Sequence, residues 1–234
     1  MEFKTDALLL KAVDYGENDK MVTLLTADRG KIGAAMKGVK KAGAKLRFAA
    51  QPFCFAEYVL SEKSGRNTVI SAALHDGFYP LREDVNKFYA AATVTEVCDR
   101  LMYEGMEDGE LLILAVSALK EICGEDVSFA LIKFLLNALR LAGYPVRAED
   151  CPFCGGGVSG KMRFDMESGS FACEACAKGT PASEVTYQTI RAALRLNGER
   201  SFEGEKRALK LLYSFFAYQT DSELKSLSEF IRLI

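Results

Sequence analysis

The chain has 234 residues, of which 49% are hydrophobic and 26% charged, and its formal net charge is −2. This composition is typical of a folded protein with one large or two small domains, and it excludes a disordered chain. No apolar run approaches the roughly 20 residues of a membrane-spanning helix, and the acidic start does not resemble a secretory signal. We therefore expect a cytoplasmic protein with reduced cysteines.

The charge is distributed unevenly along the chain. Residues 1–80 contain twelve Lys/Arg and nine Asp/Glu, whereas the remainder contains eighteen and twenty-three. A basic N-terminal part joined to an acidic C-terminal part predicts two domains with different partners. We expect a nucleic-acid-binding domain over 1–80 and a helical domain over 81–234.

The N-terminal part predicts five short strands. Their segments are TDALLLKAVDYG, NDKMVTLLTADRG, KIGAAMKGV, PFCFAEYVL and TVISAAL. Turn-rich segments separate them, and the longest connection follows the third strand. Five strands in about 75 residues are typical of a small closed barrel such as the oligonucleotide-binding (OB) fold.

The apolar period changes to that of helices near residue 81. Six helices are predicted, within residues 82–105, 109–124, 128–143, 183–197, 205–219 and 222–234. Ser128 is predicted as the N-cap of the third helix, and Gly143 with Pro145 as its end. The predicted fold class is therefore α+β: an N-terminal five-stranded OB-fold barrel, then an all-α domain with an inserted four-cysteine zinc site.

The stretch from Arg29 to Ala56 contains no acidic residue, although the chain contains 32. Its seven basic residues are Arg29, Lys31, Lys37, Lys40, Lys41, Lys45 and Arg47. Glycines and alanines between them let a phosphate backbone approach, so we predict nucleic-acid binding here. A solvated loop is the alternative.

Aromatic residues follow this basic stretch directly: Phe48, Phe53, Phe55 and Tyr58. Aromatic side chains beside a basic groove can stack unpaired bases. Their segment is apolar throughout, however, so we favour burial in the barrel core.

Four cysteines form two C-x-x-C pairs separated by eighteen residues: Cys151, Cys154, Cys173 and Cys176. This spacing is typical of a four-thiolate zinc site, which leaves no open coordination position. Segment 151–176 carries Lys161 and Arg163 against three acidic residues, so it does not look like a DNA-binding element. We predict one structural Zn²⁺ that holds this segment onto the helices.

The remaining polar signals are weaker. Basic residues recur in the late helices, where they form either a solvated surface or a second DNA contact: Arg191, Arg195, Arg200, Lys206, Arg207 and Lys210. The three other cysteines, Cys54, Cys98 and Cys123, are interpreted as buried thiols. His75 is interpreted as structural, and no nucleotide-binding, hydrolase or metalloprotease motif is present, so we predict a binding protein rather than an enzyme.

Along most of its length the chain resembles the bacterial RecO family of DNA repair and recombination mediators. LLLKAVDYGENDKMVTLLTADRGKIGAAMKGVKK and QPFCFAEYVL are similar to that family's OB-fold domain. GFYPLRED and FLLNALRLAGYPV are similar to its helical domain, and C-P-F-C-G with C-E-A-C to its zinc insertion.

The resemblance implies a nucleoid-associated mediator without catalytic residues. Members bind single- and double-stranded DNA, anneal complementary strands and recognise the C-terminal tail of the single-stranded-DNA-binding protein. With RecR they help load RecA onto DNA. DNA contact carries over to Lys31, Lys37, Lys40 and Lys41, which match the family's G-K-I…K-G segment. The following A-G-A-K-L-R departs from the family's serine-containing form, so Lys45 and Arg47 rest on their charge alone.

Two other functions stay open at this point. An OB barrel with a basic loop can also serve an RNA-binding or ribosome-associated protein. A zinc-stapled interaction scaffold, whose charges only confer solubility, is the third possibility.

Overall fold

The computed structural model describes residues 1–103, 105–106, 109–176 and 179–234. The fold is α+β, with an N-terminal closed barrel followed by helices, so the predicted fold class is confirmed. The chain forms two compact units, Met1–Cys123 and Gly124–Ile234, and the first of them includes two helices as well as the barrel.

The barrel has five strands, closed in the order β1-β2-β3-β5-β4. They are β1 (Glu2–Tyr15), β2 (Asp19–Thr26), β3 (Gly30–Met36), β4 (Phe55–Lys63) and β5 (Arg66–Asp76). All neighbouring pairs are antiparallel except β3 and β5, which close the barrel through a short parallel pairing.

The barrel core follows from the alternation of side chains along each strand. The inward positions include Ala7, Leu9, Val22, Leu24, Ala34, Met36, Tyr58 and Leu60. The Tyr58 hydroxyl donates to the Ala49 carbonyl oxygen at 3.0 Å, which satisfies the one polar atom of this buried ring. Tyr58 and Phe53 are buried, whereas Phe48 and Phe55 are half-buried, so the core interpretation of the aromatic residues holds in full for two of the four.

The β4–β5 hairpin is tighter than its turn-rich sequence suggested. Only Ser64 and Gly65 lie between the strands, with φ angles of +51° and +71°. Positive φ at both central residues is the conformation of a type I′ turn, whose twist matches that of the flanking strands.

Six α-helices are present in the described residues. They are α1 (Val85–Leu101), α2 (Gly109–Ile122), α3 (Val127–Leu141), α4 (Glu184–Ala193), α5 (Phe202–Thr220) and α6 (Lys225–Leu233). The end predicted for the first helix includes Glu104, which lies outside the described residues. None of the described helices is long and apolar enough to cross a lipid bilayer.

The two ends of α3 test the predicted helix signals. The prediction of Ser128 as N-cap was wrong, because the N-cap is Asp126, two residues earlier, and Ser128 lies within the first turn of the helix. The predicted C-terminal end is confirmed: Gly143 has φ +88°, and Tyr144 N–H donates to the Leu139 carbonyl at 2.8 Å. Glycine adopts this left-handed conformation at little cost.

A small sheet lies between α3 and α4 in the sequence. Its strands β6 (Met162–Asp165), β7 (Ser170–Cys173) and β8 (Thr180–Ala182) pair antiparallel in the order β7-β6-β8. The buried Phe164 ring contacts Phe215 of α5, with ring centroids 5.3 Å apart. This aromatic contact anchors the sheet on the helices of the second unit.

Candidate nucleic-acid interface and metal centre

The basic loop, residues 37–47, connects β3 toward β4 as a series of turns. Val39 and Leu46 pack against the barrel core and hold the loop down. Its five cations are exposed: Lys37, Lys40, Lys41, Lys45 and Arg47. The loop therefore turns its apolar side chains inward and its charges toward solvent.

Lys31 has a partner that the sequence did not indicate. Its Nζ donates to the carbonyl oxygen and to Oδ1 of Asp99, at 2.6 and 3.1 Å. Because Asp99 belongs to α1, this contact ties β3 to the helix. A phosphate at Lys31 would have to compete with both oxygen atoms.

Lys40 is also paired, with an aspartate on β1. Asp14 accepts from Lys40 at 2.7 Å and lies 2.9 Å from Lys20. The two lysines lower the pKa of the Asp14 carboxyl to about 2. No sequence pattern predicted this cluster, since Asp14 and Lys20 lie outside the acid-free stretch.

Arg29 lies against the barrel itself. Its guanidinium stands over the Phe3 ring, 3.8 Å from the ring centroid, and its Nε is 3.9 Å from Asp28 Oδ2. The planar group is thus stacked and partly neutralised.

The other cations of the basic loop stay available. Within the described part of the chain, no ion pair engages Lys37, Lys41, Lys45 or Arg47. In the described part of the chain, the basic loop thus has four exposed cations without carboxylate partners, while Lys31, Lys40 and Arg29 have contacts of their own.

The late basic residues are mostly engaged within their own unit. Arg200 forms ion pairs with Asp126 and Glu205, both at 3.0 Å, and Arg207 pairs with Glu203 at 2.5 Å. Lys206 donates to the C-terminal residue, and Arg191 donates to the Ala148 carbonyl at 2.7 Å. Among the described residues, the side chains of Arg195 and Lys210 form no ion pair or hydrogen bond.

The four predicted metal ligands meet at one place. The Sγ atoms of Cys151, Cys154, Cys173 and Cys176 all lie within 4.8 Å of one another. Cys154 and Cys173 Sγ are 3.7 Å apart. A tetrahedral zinc site with Zn–S bonds of about 2.3 Å has edges of about 3.8 Å, whereas a disulfide would need about 2.05 Å. The arrangement therefore fits a tetrahedral metal ion.

Local backbone structure positions the first pair of sulfurs. Cys151 N–H donates to the Gly156 carbonyl at 2.8 Å, and Gly155 N–H donates back to the Cys151 carbonyl at 2.9 Å. Gly155 has φ +72°, which closes this turn. The second pair lies at the end of β7 and in the short 3-10 helix Glu174–Cys176.

The thiols differ in acidity because their surroundings differ. The Cys173 backbone N–H and other amides near the Cys151 sulfur lower the pKa of that thiol to about 6. Hydrogen bonds with the Cys154 and Cys173 thiols raise the pKa of Cys176 to about 12. A divalent cation at the centre would stabilise all four as thiolates.

The remaining candidates behave as structural groups. Cys54 and Cys98 are buried, Cys123 is half-buried, and burial raises the pKa of each of these thiols. His75 Nε2 lies 2.7 Å from Asp6 Oδ1, which links β5 to β1.

Comparisons with known proteins agree with this architecture. The family model "Recombination protein O N terminal" matches residues 1–78, and "Recombination protein O C terminal" matches residues 82–228. A DNA repair protein RecO of Anaeromyxobacter sp. (strain K) is 35% identical over 82% of this chain and 78% of its own length. Another, of Myxococcus xanthus (strain DK1622), is 32% identical over 96% of this chain and 95% of its own length.

These matches span both the barrel and the helices that follow it. They also agree in function, since the relatives are DNA repair proteins. The chain therefore belongs to the RecO family and has a role in DNA repair and recombination.

Proposed function

We propose that the protein is a non-catalytic recombination mediator that binds single- and double-stranded DNA and anneals complementary strands. With RecR as partner, it helps load RecA onto DNA that is coated by the single-stranded-DNA-binding protein, whose C-terminal tail it recognises. It acts in the cytoplasm on the nucleoid. DNA binding is assigned to residues 1–80, and the helical domain, 81–234, supplies protein-docking surface.

The observation that carries this proposal is the basic loop, where four cations have no ion-pair partner among the described residues. Annealing requires that the charge of two phosphate backbones be neutralised with little preference for sequence. Flexible cations on a loop of small residues meet both requirements, because ammonium groups can follow a phosphate without reading base edges. Lys37, Lys41, Lys45 and Arg47 are thus the primary phosphate contacts. Lys40, Lys31 and Arg29 contribute after exchanging their present partners.

The metal proposed for the cysteine cluster is one structural Zn²⁺ per chain. Four thiolates complete its coordination, so it holds segment 151–176 in place and supplies no reactive site. Elemental analysis of the protein should give one equivalent of zinc, and replacement of Cys151 by serine should lower that content.

The direct test of the DNA site removes the four unpaired cations together. The variant Lys37→Ala/Lys41→Ala/Lys45→Ala/Arg47→Ala should lose about tenfold or more in affinity for a fluorescent single strand, since exposed charge contacts contribute up to about 1 kcal/mol each. The control removes four cations elsewhere: Lys120→Ala/Arg140→Ala/Lys161→Ala/Arg232→Ala. It changes the net charge equally and should bind almost as well as the wild type.

The same assay decides between the other possible functions. Tighter binding to a matched RNA strand than to DNA would favour the RNA-binding alternative. No binding to either strand by the wild type would favour the interaction scaffold. Equal losses in the loop variant and in the control would reject the basic loop as the binding site.

A further inference from the structure

The four thiols of the cysteine cluster differ in their access to solvent. Cys151 is buried, Cys173 and Cys176 are half-buried, and Cys154 is exposed. Cysteines that are surrounded by protein are chemically inert, because a reagent cannot reach the sulfur. Cys154 lacks this protection. Four thiolates leave no open position on a metal ion, so chemistry at this site is left to the sulfur atoms.

Glycines leave the Cys154 sulfur uncovered. Three residues without side chains follow it in the sequence, Gly155, Gly156 and Gly157, and all three are exposed. A Cβ built on Gly156 would lie 3.5 Å from Cys154 Sγ. One built on Gly157 would have no described heavy atom within 4 Å. Position 156 is therefore the place from which a side chain would cover the sulfur, and glycine provides none.

A second thiol lies close to this exposed sulfur. Cys173 Sγ is 3.7 Å from Cys154 Sγ. A disulfide requires about 2.05 Å, so the two sulfur atoms need to approach by less than about 2 Å. Cys154 belongs to the first C-x-x-C pair and Cys173 to the end of β7. A bond between them would join the two halves of the cluster.

We propose that Cys154 is a site of reversible oxidation by hydroperoxides such as hydrogen peroxide, and that Cys173 completes the reaction by forming a disulfide with it. This inference rests on the zinc proposed for the cluster and goes beyond it, because it makes a structural site responsive to oxidants.

The reaction balances with hydrogen peroxide as the oxidant. Bound zinc keeps its ligands as thiolates, the nucleophilic form of cysteine. The Cys154 thiolate attacks one oxygen of the peroxide, the O–O bond breaks, hydroxide leaves, and Cys154 becomes a sulfenic acid. The Cys173 thiolate then attacks this sulfur and displaces a second hydroxide, which forms the disulfide. The two thiolates lose two electrons in total, and the peroxide takes them up as two hydroxide ions.

The consequence of this reaction is loss of the metal site. Cys151 and Cys176 alone would remain as thiolates, half of the ligand set that structural zinc requires. Segment 151–176 then loses the link that holds it in place. DNA binding, which is assigned to residues 1–80, should persist. A dithiol reductant should restore the two thiols by exchange with the disulfide.

The experiment follows zinc release and disulfide formation while the full chain is exposed to hydrogen peroxide. A chromogenic chelator reports the released metal, and mass spectrometry of proteolytic peptides identifies the disulfide. The wild type should release its zinc as the disulfide between Cys154 and Cys173 forms. A dithiol with added zinc should reverse both changes, and single-strand affinity should stay the same throughout.

The neighbouring glycines give a matched pair of variants that keep all four ligands. Neither Gly156 nor Gly157 has a positive φ, so valine is compatible with the backbone at both positions. Gly156→Val places methyl groups against the Cys154 sulfur and should slow zinc release severalfold. Gly157→Val adds the same side chain away from the sulfur and should release zinc as fast as the wild type.

Two controls keep this comparison interpretable. Both variants should contain as much zinc as the wild type before treatment; Gly156→Ala, which adds only the Cβ, replaces Gly156→Val if the larger side chain lowers the zinc content. Cys123 is half-buried and lies outside the cluster. Its oxidation should proceed equally in all the proteins and serves as the internal reference.

The outcomes separate this inference from the zinc proposal. Untreated wild type without zinc would reject the proposed metal and this inference with it. Zinc that is retained while Cys123 is oxidised, or released equally fast from both glycine variants, would reject Cys154 as the reactive thiol and leave the zinc proposal standing. A disulfide between Cys154 and a cysteine other than Cys173 would reject the role of Cys173. DNA binding is decided separately, by the basic-loop variant.

Discussion

Two groups of basic residues in this chain look alike in sequence and differ in structure. In the basic loop, Lys37, Lys41, Lys45 and Arg47 are exposed and have no carboxylate partner among the residues that the structure describes. In the late helices, most cations are held by acidic side chains or carbonyl oxygens of their own unit. An unpaired cation can exchange its counterions for a phosphate, whereas a paired one must first give up its partner. We therefore expect the unpaired cations to act in binding and the paired ones in stability.

The largest expected effect is a loss of stability at the cysteine cluster, which tests whether the second unit acts in stability rather than in DNA binding. Cys151→Ser removes one of four ligands, and the expected loss of stability is about 4 kcal/mol or more, as for loss of a structural metal. The melting temperature should fall sharply, while single-strand affinity per folded molecule stays unchanged. Cys123→Ser is the control, since it makes the same chemical change at a half-buried thiol outside the cluster. A DNA-binding loss without a stability loss would place the cluster in the DNA interface.

Arg200 is the test of a paired cation. It bridges Asp126 and Glu205, and its guanidinium lies over the Phe129 ring at 3.9 Å. Arg200→Ala should cost about 1 kcal/mol in the free energy of unfolding, because partly exposed pairs contribute little and the ring contact adds to them. Single-strand affinity should not change. A clear loss of single-strand affinity in Arg200→Ala that is still folded under the assay conditions would extend the DNA site to the late helices.

Removal of the Asp14 charge should strengthen single-strand binding instead of weakening it. Asp14→Asn keeps the size of the side chain and removes the charge that holds Lys20 and Lys40. Two released cations should strengthen single-strand binding and steepen the slope of log K against log salt by up to about 1.4. Asp6→Asn makes the same charge change on β1 beside His75 and serves as the control. Unchanged binding in Asp14→Asn would mean that Lys20 and Lys40 lie outside the interface.

The pH dependence of this cluster is the smallest expected effect. Lys40 and Lys20 lower the pKa of Asp14 from 3.8 to about 2. A depressed carboxyl pKa stabilises the folded state fully above the ordinary value, and this contribution is lost as the pH falls through about 2. An NMR titration of the Asp14 carboxyl should give a midpoint near 2 in the wild type and a higher one in Lys40→Ala. A midpoint near 3.8 in both would show that the pairs do not persist in solution.

Local signals in the sequence were sufficient for much of the fold. Apolar runs bounded by turn-rich segments predicted the five strands, because each strand contributes apolar side chains to the barrel core. The two C-x-x-C pairs predicted the cysteine cluster, because each pair forms within a single turn. Gly143 marked the end of α3 through its own backbone preference.

Features that depend on distant residues were not predictable in this way. Lys31 and Asp99 are 68 residues apart in sequence, and Lys40 and Asp14 are 26 apart. Ser128 failed as an N-cap because the helix begins at Val127, after Asp126, whose carboxylate is bound by Arg200. The exposure of Val13, Tyr15 and Met21 was not predicted, because they lie on two strands and look like core residues in the sequence. The DNA contacts themselves stay predictions.

The assignment of the basic loop as the phosphate-binding site is tested by the salt dependence of single-strand binding in the wild type and in the variant Lys37→Ala/Lys41→Ala/Lys45→Ala/Arg47→Ala. Four phosphate contacts predict that the slope of log K against log salt becomes shallower by about 2.8 in the variant. The control lacking Lys120, Arg140, Lys161 and Arg232 should keep the wild-type slope. The same slope in the wild type and in the basic-loop variant would show that these four cations do not contact the phosphates.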